Sequence, residues 1–403
     1  MEGSRLIHRL ELKDFLSYGS AGVEIDLQPL NVLIGPNASG KSNLIEALGV
    51  LRAAPTELAA YFRERGGVSE YIRRGAGTSG IAMIQAWVDY SSFLAPQHVR
   101  YSLGFAQVNY RLDIVTEGIA TQVHDVGSDS TPGYKAVYSS GRDGAMISGY
   151  DAESDTRRLT YLHQQDIKPN QSILSQRKDP VAYAELTHLA SSFEGITLFQ
   201  EWSFGRRNPA RFPQGADLPT DFLLPDASNL VLVLHDLVQR PKTRDQVEKY
   251  LRQLYEEAER IITRIQGGTV QLYVEERGGE QIPAPRLSDG TLRYLSLLAI
   301  LCHPTPPPLI CIEEPELGLH PDLLPTIAEL LKEASTRTQL IVTTHSDALV
   351  SALSDVPESV IVCESGKGGT SLRRLDAQQL SAWLDEYSLG DVWRMGEIGG
   401  TRW

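Results

Sequence analysis

Eight residues, Gly35-Pro36-Asn37-Ala38-Ser39-Gly40-Lys41-Ser42, constrain the fold of this chain more than any other stretch. They follow a mostly apolar run, Leu30-Asn31-Val32-Leu33-Ile34, that reads as a buried strand. They precede Asn43-Leu44-Ile45-Glu46-Ala47-Leu48, whose apolar residues fall at helical spacing. Strand, glycine-rich turn and helix in that order are the setting of a P-loop. Glycines let the backbone curl so that successive N–H groups point inward at a phosphate. The start of the helix adds its partial positive charge. Lys41 can then reach β- and γ-phosphates, and the Ser42 hydroxyl can ligate Mg²⁺.

The 403 residues suffice for two or three ordinary domains, or one large domain with insertions. With 41% hydrophobic and 22% charged residues the chain is globular. No apolar run approaches transmembrane length. Met-Glu-Gly-Ser-Arg leads into a strand-like segment without a signal-peptide core. A cytoplasmic protein without membrane contacts is expected. Cys302, Cys311 and Cys363 stand in apolar surroundings without ligand-like spacing, so they are expected as core thiols. A net charge of −13 argues against a strongly basic nucleic-acid binder, although a local basic surface can coexist with it.

Residues 5–12 and 23–27 alternate as strands, with a turn at 14–19 between them. Segments 81–90, 99–108 and 110–115 read as antiparallel strands. Residues 124–158, rich in Gly, Ser and Asp, read as mobile hairpins or loops. The pattern from about 160 to 265 is helical. Its clearest element is a helix over 243–265 with Val247, Tyr250, Leu251, Leu254, Ala258, Ile261, Ile262 and Ile265 on one face, ended by Gly267-Gly268. Residues 270–275 form a strand, and the chain from 281 onward is compact α/β. Three divisions are expected: an N-terminal lobe over 1–125, an inserted loop and α-rich region over 126–280, and a C-terminal lobe over 281–403.

The C-terminal third carries further chemistry. Leu309-Ile310-Cys311-Ile312 ends in Glu313-Glu314-Pro315-Glu316, a strand delivering paired carboxylates. Beside a P-loop this is a Walker B arrangement, with Glu313 assigned to the metal and Glu314 to the attacking water. Ser288-Asp289-Gly290-Thr291 precedes an apolar helix, Leu292–Leu301; it reads either as an N-cap or as an anion site at a helix start. Gln339–Thr343 is a buried strand followed by His345, either a cap or core residue or a contact to the γ-phosphate and its water.

The order of P-loop, long intervening segment, Leu287-Ser288-Asp289-Gly290-Thr291, apolar-Glu-Glu and Thr344-His345-Ser346 resembles the ABC-type ATPases, and more closely the SMC/RecF/OLD-like branch. The Glu-Glu-Pro-Glu run followed by Leu319-His320-Pro321 strengthens that resemblance. It covers residues 5–90 and 280–350 best. It implies an α/β, ABC-type P-loop ATPase head with an antiparallel β subdomain and an inserted α-rich region. It implies a head-to-tail homodimer with two ATP molecules at the seam, Ser288 and Gly290 acting in trans and His345 as switch histidine. Glu316, Leu319 and His320 would lie near that seam. Two departures are a glutamate, Glu313, at the usual metal-side aspartate, and Ser-Asp-Gly-Thr as the signature. Gln171 and Gln176 are the candidates for the Q-loop glutamine. Heptads are not sustained, so no long coiled coil is expected; nor does an acidic cluster for a fused TOPRIM nuclease follow His345.

The expectation is therefore a Mg²⁺-dependent ATP hydrolase with Lys41, Glu314 and His345 in catalysis, and Ser42 and Glu313 on the metal. Its dimerisation would regulate DNA transactions or a separately encoded effector, TOPRIM-like nucleases being the usual kind, in genome maintenance or anti-phage defence. An ATP-binding scaffold with little turnover, a transporter ATPase subunit and a P-loop kinase are the alternatives. The basic stretch 204–212 would meet phosphates or form a solvated loop. The tail, 393–403, keeps two tryptophans and would dock a partner or tuck onto its own surface.

Overall fold

The computed structural model describes residues 3–75, 78–92, 95–123, 133–141, 144–151, 154–201 and 204–400. Its centre is a six-stranded sheet in the order Ile196–Phe199, Leu309–Glu313, Gln339–Thr343, Leu30–Ile34, Val360–Gly366, Gly369–Arg374. The first five strands are parallel and the last is antiparallel. Near-continuous apolar runs are what strands buried on both faces require. Alternate residues serve alternate faces. Leu33, Leu309, Cys311, Ile341 and Ile361 join one core with the P-loop helix, Lys41–Ala53. Val32, Ile34, Ile310, Ile312, Val342 and Val362 join another with the helix Asp289–Leu301.

An eight-stranded antiparallel sheet packs on the P-loop side, ordered Val23–Asp26, Ile7–Lys13, Ala82–Ser92, Ala95–Val108, Arg111–Val123, Gly133–Gly141, Gly144–Asp151, Thr156–Leu162. Buried Gln339 links the sheets: its amide oxygen accepts from the Leu6 and Ile7 amides, and its Nε2 donates to the Ile7 carbonyl. A smaller sheet, built on Ala258–Gln266 and Thr269–Glu276, lies on the other side. All three cysteines are buried thiols. Among the described residues no helix is long and apolar enough to cross a membrane.

One expectation is decided between its alternatives and one is corrected. Of the hairpin and loop readings of 124–158, hairpins hold for the described part, where Gly133–Gly141 and Gly144–Asp151 extend the large sheet; residues 124–132, 142–143 and 152–153 lie outside the described residues. The helix expected over 243–265 spans only Pro241–Leu254. Tyr255 is extended, at φ −159° and ψ 151°, and Ala258–Gln266 is a strand paired with Thr269–Glu276. The β-branched Ile261, Ile262 and Ile265 favour that pairing. Gly267 and Gly268, both at positive φ, make the two-residue turn of this hairpin rather than a helix stop.

Candidate functional site

The C-terminal ends of the parallel strands gather the sequence motifs on one edge of the central sheet, where ligands bind in such folds. Between Ile34 and Lys41 the backbone turns through positive φ at Gly35, Ala38 and Gly40. A Cβ at Gly35 would fall 2.2 Å from the Cys363 carbonyl oxygen, so only glycine fits. Tyr18 donates to the Gly40 carbonyl at 3.0 Å, and Thr370 Oγ1 to that of Ser39 at 2.9 Å, bracing the loop from below. Lys41 Nζ folds back onto the carbonyls of Gly35, at 2.8 Å, and Pro36, at 3.0 Å. Burial lowers its pKa, and Cys363, Glu314, Glu313 and Glu316 oppose that shift. Ser39 Oγ is buried without a hydrogen-bond partner, a donor aimed into a loop shaped for phosphate.

The Walker acids arrive at the same edge. Ser42 hydrogen-bonds the Glu313 carboxylate, which puts two hard oxygen donors side by side, the set that Mg²⁺ takes. Glu314 sits at φ 46°, a left-handed conformation that a non-glycine residue keeps only where its surroundings impose it. Its amide donates to the Thr343 carbonyl at 3.0 Å, and its Oε1 lies 3.5 Å from His345 Nε2. Burial and then Lys41 lower the His345 pKa, so the ring is neutral at pH 7. Glu316 ties the two loops: its Oε1 accepts from Thr344 Oγ1 at 2.6 Å and from the His345 amide at 2.9 Å.

Burial, then the charges of Glu46 and Glu314, raise the Glu313 pKa against the pull of Ser42 and Lys41. A carboxyl whose folded pKa is raised loses stability for the fold as pH rises above its unfolded value, because the native state must then hold an unfavourable charge. Glu313→Gln is expected to raise the melting temperature of the nucleotide-free protein at pH 7. The gain should vanish toward pH 4, where both forms are neutral. Melting curves across that range check it; a lower melting temperature at pH 7 contradicts the assignment.

Ser288, Asp289 and Gly290 stand apart. Ser288 Oγ accepts from the Thr291 amide at 3.0 Å, an N-cap, and the residue is exposed. Ser288 and Gly290 line a depression shared with Gly318, Leu319 and His320, to which no residue of the P-loop contributes. A Cβ at Gly290 would meet the Gly318 carbonyl oxygen at 2.5 Å. Thus the chain brings Lys41, Ser42, Glu313, Glu314 and His345 together, while Ser288 and Gly290 line a separate depression.

Two roles escaped the sequence reading. Gln200 follows Ile196–Phe199, the strand beside Leu309–Glu313, and its Nε2 donates to Glu46 of the P-loop helix at 2.9 Å. Gln176 instead closes its own loop, accepting from the Lys168 amide and donating to the Gln171 carbonyl, while Gln171 lines a cavity on the antiparallel sheet. Neither is placed at the P-loop helix, where Gln200 stands. The only hint in sequence is a short apolar run, Ile196-Thr197-Leu198-Phe199, ending in glutamine. Arg211 has the second. It points inward, ion-pairs with Asp289 and donates to the Leu287 carbonyl at 2.6 Å, holding the signature turn. Arg206 and Arg207 of the same stretch are exposed. In the tail Trp393 is buried and donates to the Gly400 carbonyl at 3.3 Å, so this part tucks onto its own surface; Trp403 lies outside the described residues.

Comparison with solved structures gives the same architecture. An SMC head bound to the C-terminal winged-helix domain of ScpA superposes with a TM-score of 0.52 at 15% identity, covering 94% of this chain and 100% of that one. An SMC head with an extended coiled coil, bound to the C-terminal domain of ScpA from Pyrococcus furiosus, gives 0.49 at 14% identity, covering 94% and 99%. The first match shows the fold to be an ABC-type P-loop ATPase head. A family model described as "AAA domain, putative AbiEii toxin, Type IV TA system" matches residues 30–87 and 142–351. That match spans more than half of the chain and takes in both the P-loop and the Walker acids, and the chain belongs to this AAA-domain family.

Proposed function

We propose that this chain is a Mg²⁺-dependent ATPase whose ATP-bound heads close head to tail. Opening and closing would control a DNA transaction or a partner effector such as a nuclease. The observation that carries the reading is the split of the site: P-loop, carboxylates and histidine gather at one edge, while Ser288 and Gly290 line a depression to which no P-loop residue contributes. A second copy can supply what each edge lacks. The P-loop amides and Ser39 hold the phosphates. Lys41 exchanges its carbonyl partners for phosphate oxygens. Ser42 and Glu313 would hold Mg²⁺, which when bound neutralises charge on the β- and γ-phosphates. Glu314 orients the water for in-line attack and His345 holds Glu314 in place. Gln200, bonded to the P-loop helix, senses the same edge. In the solved SMC head a ScpA domain docks on the head, and a protein partner here fits the same logic.

Mixing two inactive chains tests this. Lys41→Ala removes the P-loop contribution and Ser288→Arg blocks the signature. In a hybrid dimer one composite site takes Lys41 from one chain and Ser288 from the other, and is intact. Turnover should recover to about a quarter of wild type, since half of randomly paired dimers are hybrids with one of two sites working. No recovery from folded chains that do pair overturns the trans reading. Repeating the assay with double-stranded DNA separates the two outputs: stimulation points to a DNA transaction, indifference to a protein partner.

A further inference from the structure

Away from the nucleotide edge, three neighbouring strands of the antiparallel sheet place His8, Asp89 and His98 on one patch. Asp89 and His98 are directly opposite each other in the pairing of Ala82–Ser92 with Ala95–Val108. His8 is the extra residue of a bulge, between Ile7 opposite Val88 and Arg9 opposite Trp87. Such bulges re-aim a side chain. Here it turns His8 toward the other two: its Nε2 lies 4.0 Å from Asp89 Oδ1, and its ring centroid 4.1 Å from that of His98. One donor atom from each of the three residues lies within 4.8 Å of the others. His8 Nε2 and His98 Nδ1 are buried and make no hydrogen bond, an arrangement that costs free energy unless something fills it.

We propose that His8, Asp89 and His98 form a second cation site, for a divalent transition metal of the zinc class. Two imidazoles and one carboxylate suit a borderline ion rather than Mg²⁺ or Ca²⁺, which prefer all-oxygen shells. Zinc takes such ligands at about 2.0–2.2 Å, so the three donors must draw inward by side-chain rotation. Asp89 is partly exposed, at 43%, which leaves room for water in the remaining positions. Both rings are held below the usual imidazole pKa, by burial first, and so offer lone pairs at neutral pH. His188 positions the patch from outside, its Nε2 lying 2.7 Å from the Asp89 carbonyl oxygen. The site shares no residue with the P-loop edge. A bound ion would staple the first strand to the hairpin that follows the P-loop helix.

The test is calorimetric titration of the EDTA-treated, tag-free full chain with ZnCl₂, in the absence of nucleotide. The expected result is one Zn²⁺ per chain, retained by Glu313→Gln, with affinity at least about tenfold weaker in His98→Ala and in Asp89→Asn. CoCl₂ should give visible d–d absorption that both variants lose. Circular dichroism and ATP binding report whether each variant folds. Should His98→Ala fail to fold, Asp89→Asn, nearly the same shape without the charge, decides alone. Absence of Zn²⁺ binding by the wild-type chain, or binding unchanged in Asp89→Asn, overturns the proposal.

Discussion

Glu314→Gln is expected to lower ATP turnover by about 10²–10⁴-fold, the usual contribution of a positioned general base, while leaving ATP binding intact. The expectation rests on placement. Glu314 stands at a strained left-handed φ of 46°, one residue past the Walker strand, with His345 Nε2 at 3.5 Å. Neither backbone strain nor a half-buried carboxylate is needed for packing there. Glutamine keeps the shape and the hydrogen-bonding reach but cannot take a proton. If closure depends on ATP and opening on hydrolysis, the same substitution should hold the dimer closed. Single-turnover kinetics and size-exclusion chromatography with ATP read the two effects separately. Full turnover by Glu314→Gln would remove Glu314 from the mechanism.

Lys41→Ala should weaken ATP binding by about 1.5–3 kcal/mol, or roughly 10- to 150-fold in Kd, the range for a hydrogen bond to a charged group. The ammonium lies inside the loop, on the Gly35 and Pro36 carbonyls, and phosphate oxygens would offer it better, charged acceptors. Alanine leaves those carbonyls without their donor, and a small loss of stability should accompany the loss of affinity. Lys41→Met, which keeps the buried stem, separates the two: affinity should fall equally and stability less. Equal ATP affinity in wild type and Lys41→Met would show that the lysine does not reach the phosphates.

The sequence was most legible where one short segment settles its own conformation. The stretch 35–42 announces a P-loop because glycines at its two ends permit the positive φ values that the turn uses. The runs 30–34, 309–312 and 339–343 announce buried parallel strands because each is short and mostly apolar, with Asn31, Gln339 and Thr343 the polar exceptions. The segment 243–265 misled for the same reason. Its apolar residues satisfy a helical face as far as Leu254, but from Ala258 onward the better solution is a ladder with Thr269–Glu276. That ladder depends on a partner the helical period does not register.

By itself, then, the amino-acid sequence determined the P-loop, the carboxylates at the end of the apolar run 309–312 and the head-like order of motifs. Those features depend on neighbours a few residues apart. Tertiary structure decided the rest. It set Gln200 rather than Gln171 or Gln176 beside the P-loop helix, and aimed Arg211 at the signature turn, 78 residues away. It set Ser288 and Gly290 in a depression that no P-loop residue lines, and gathered His8, Asp89 and His98 across three strands. The physical reason is common to all four. Strand order and a single bulge choose which distant residues meet, and neither leaves a periodic trace in the chain.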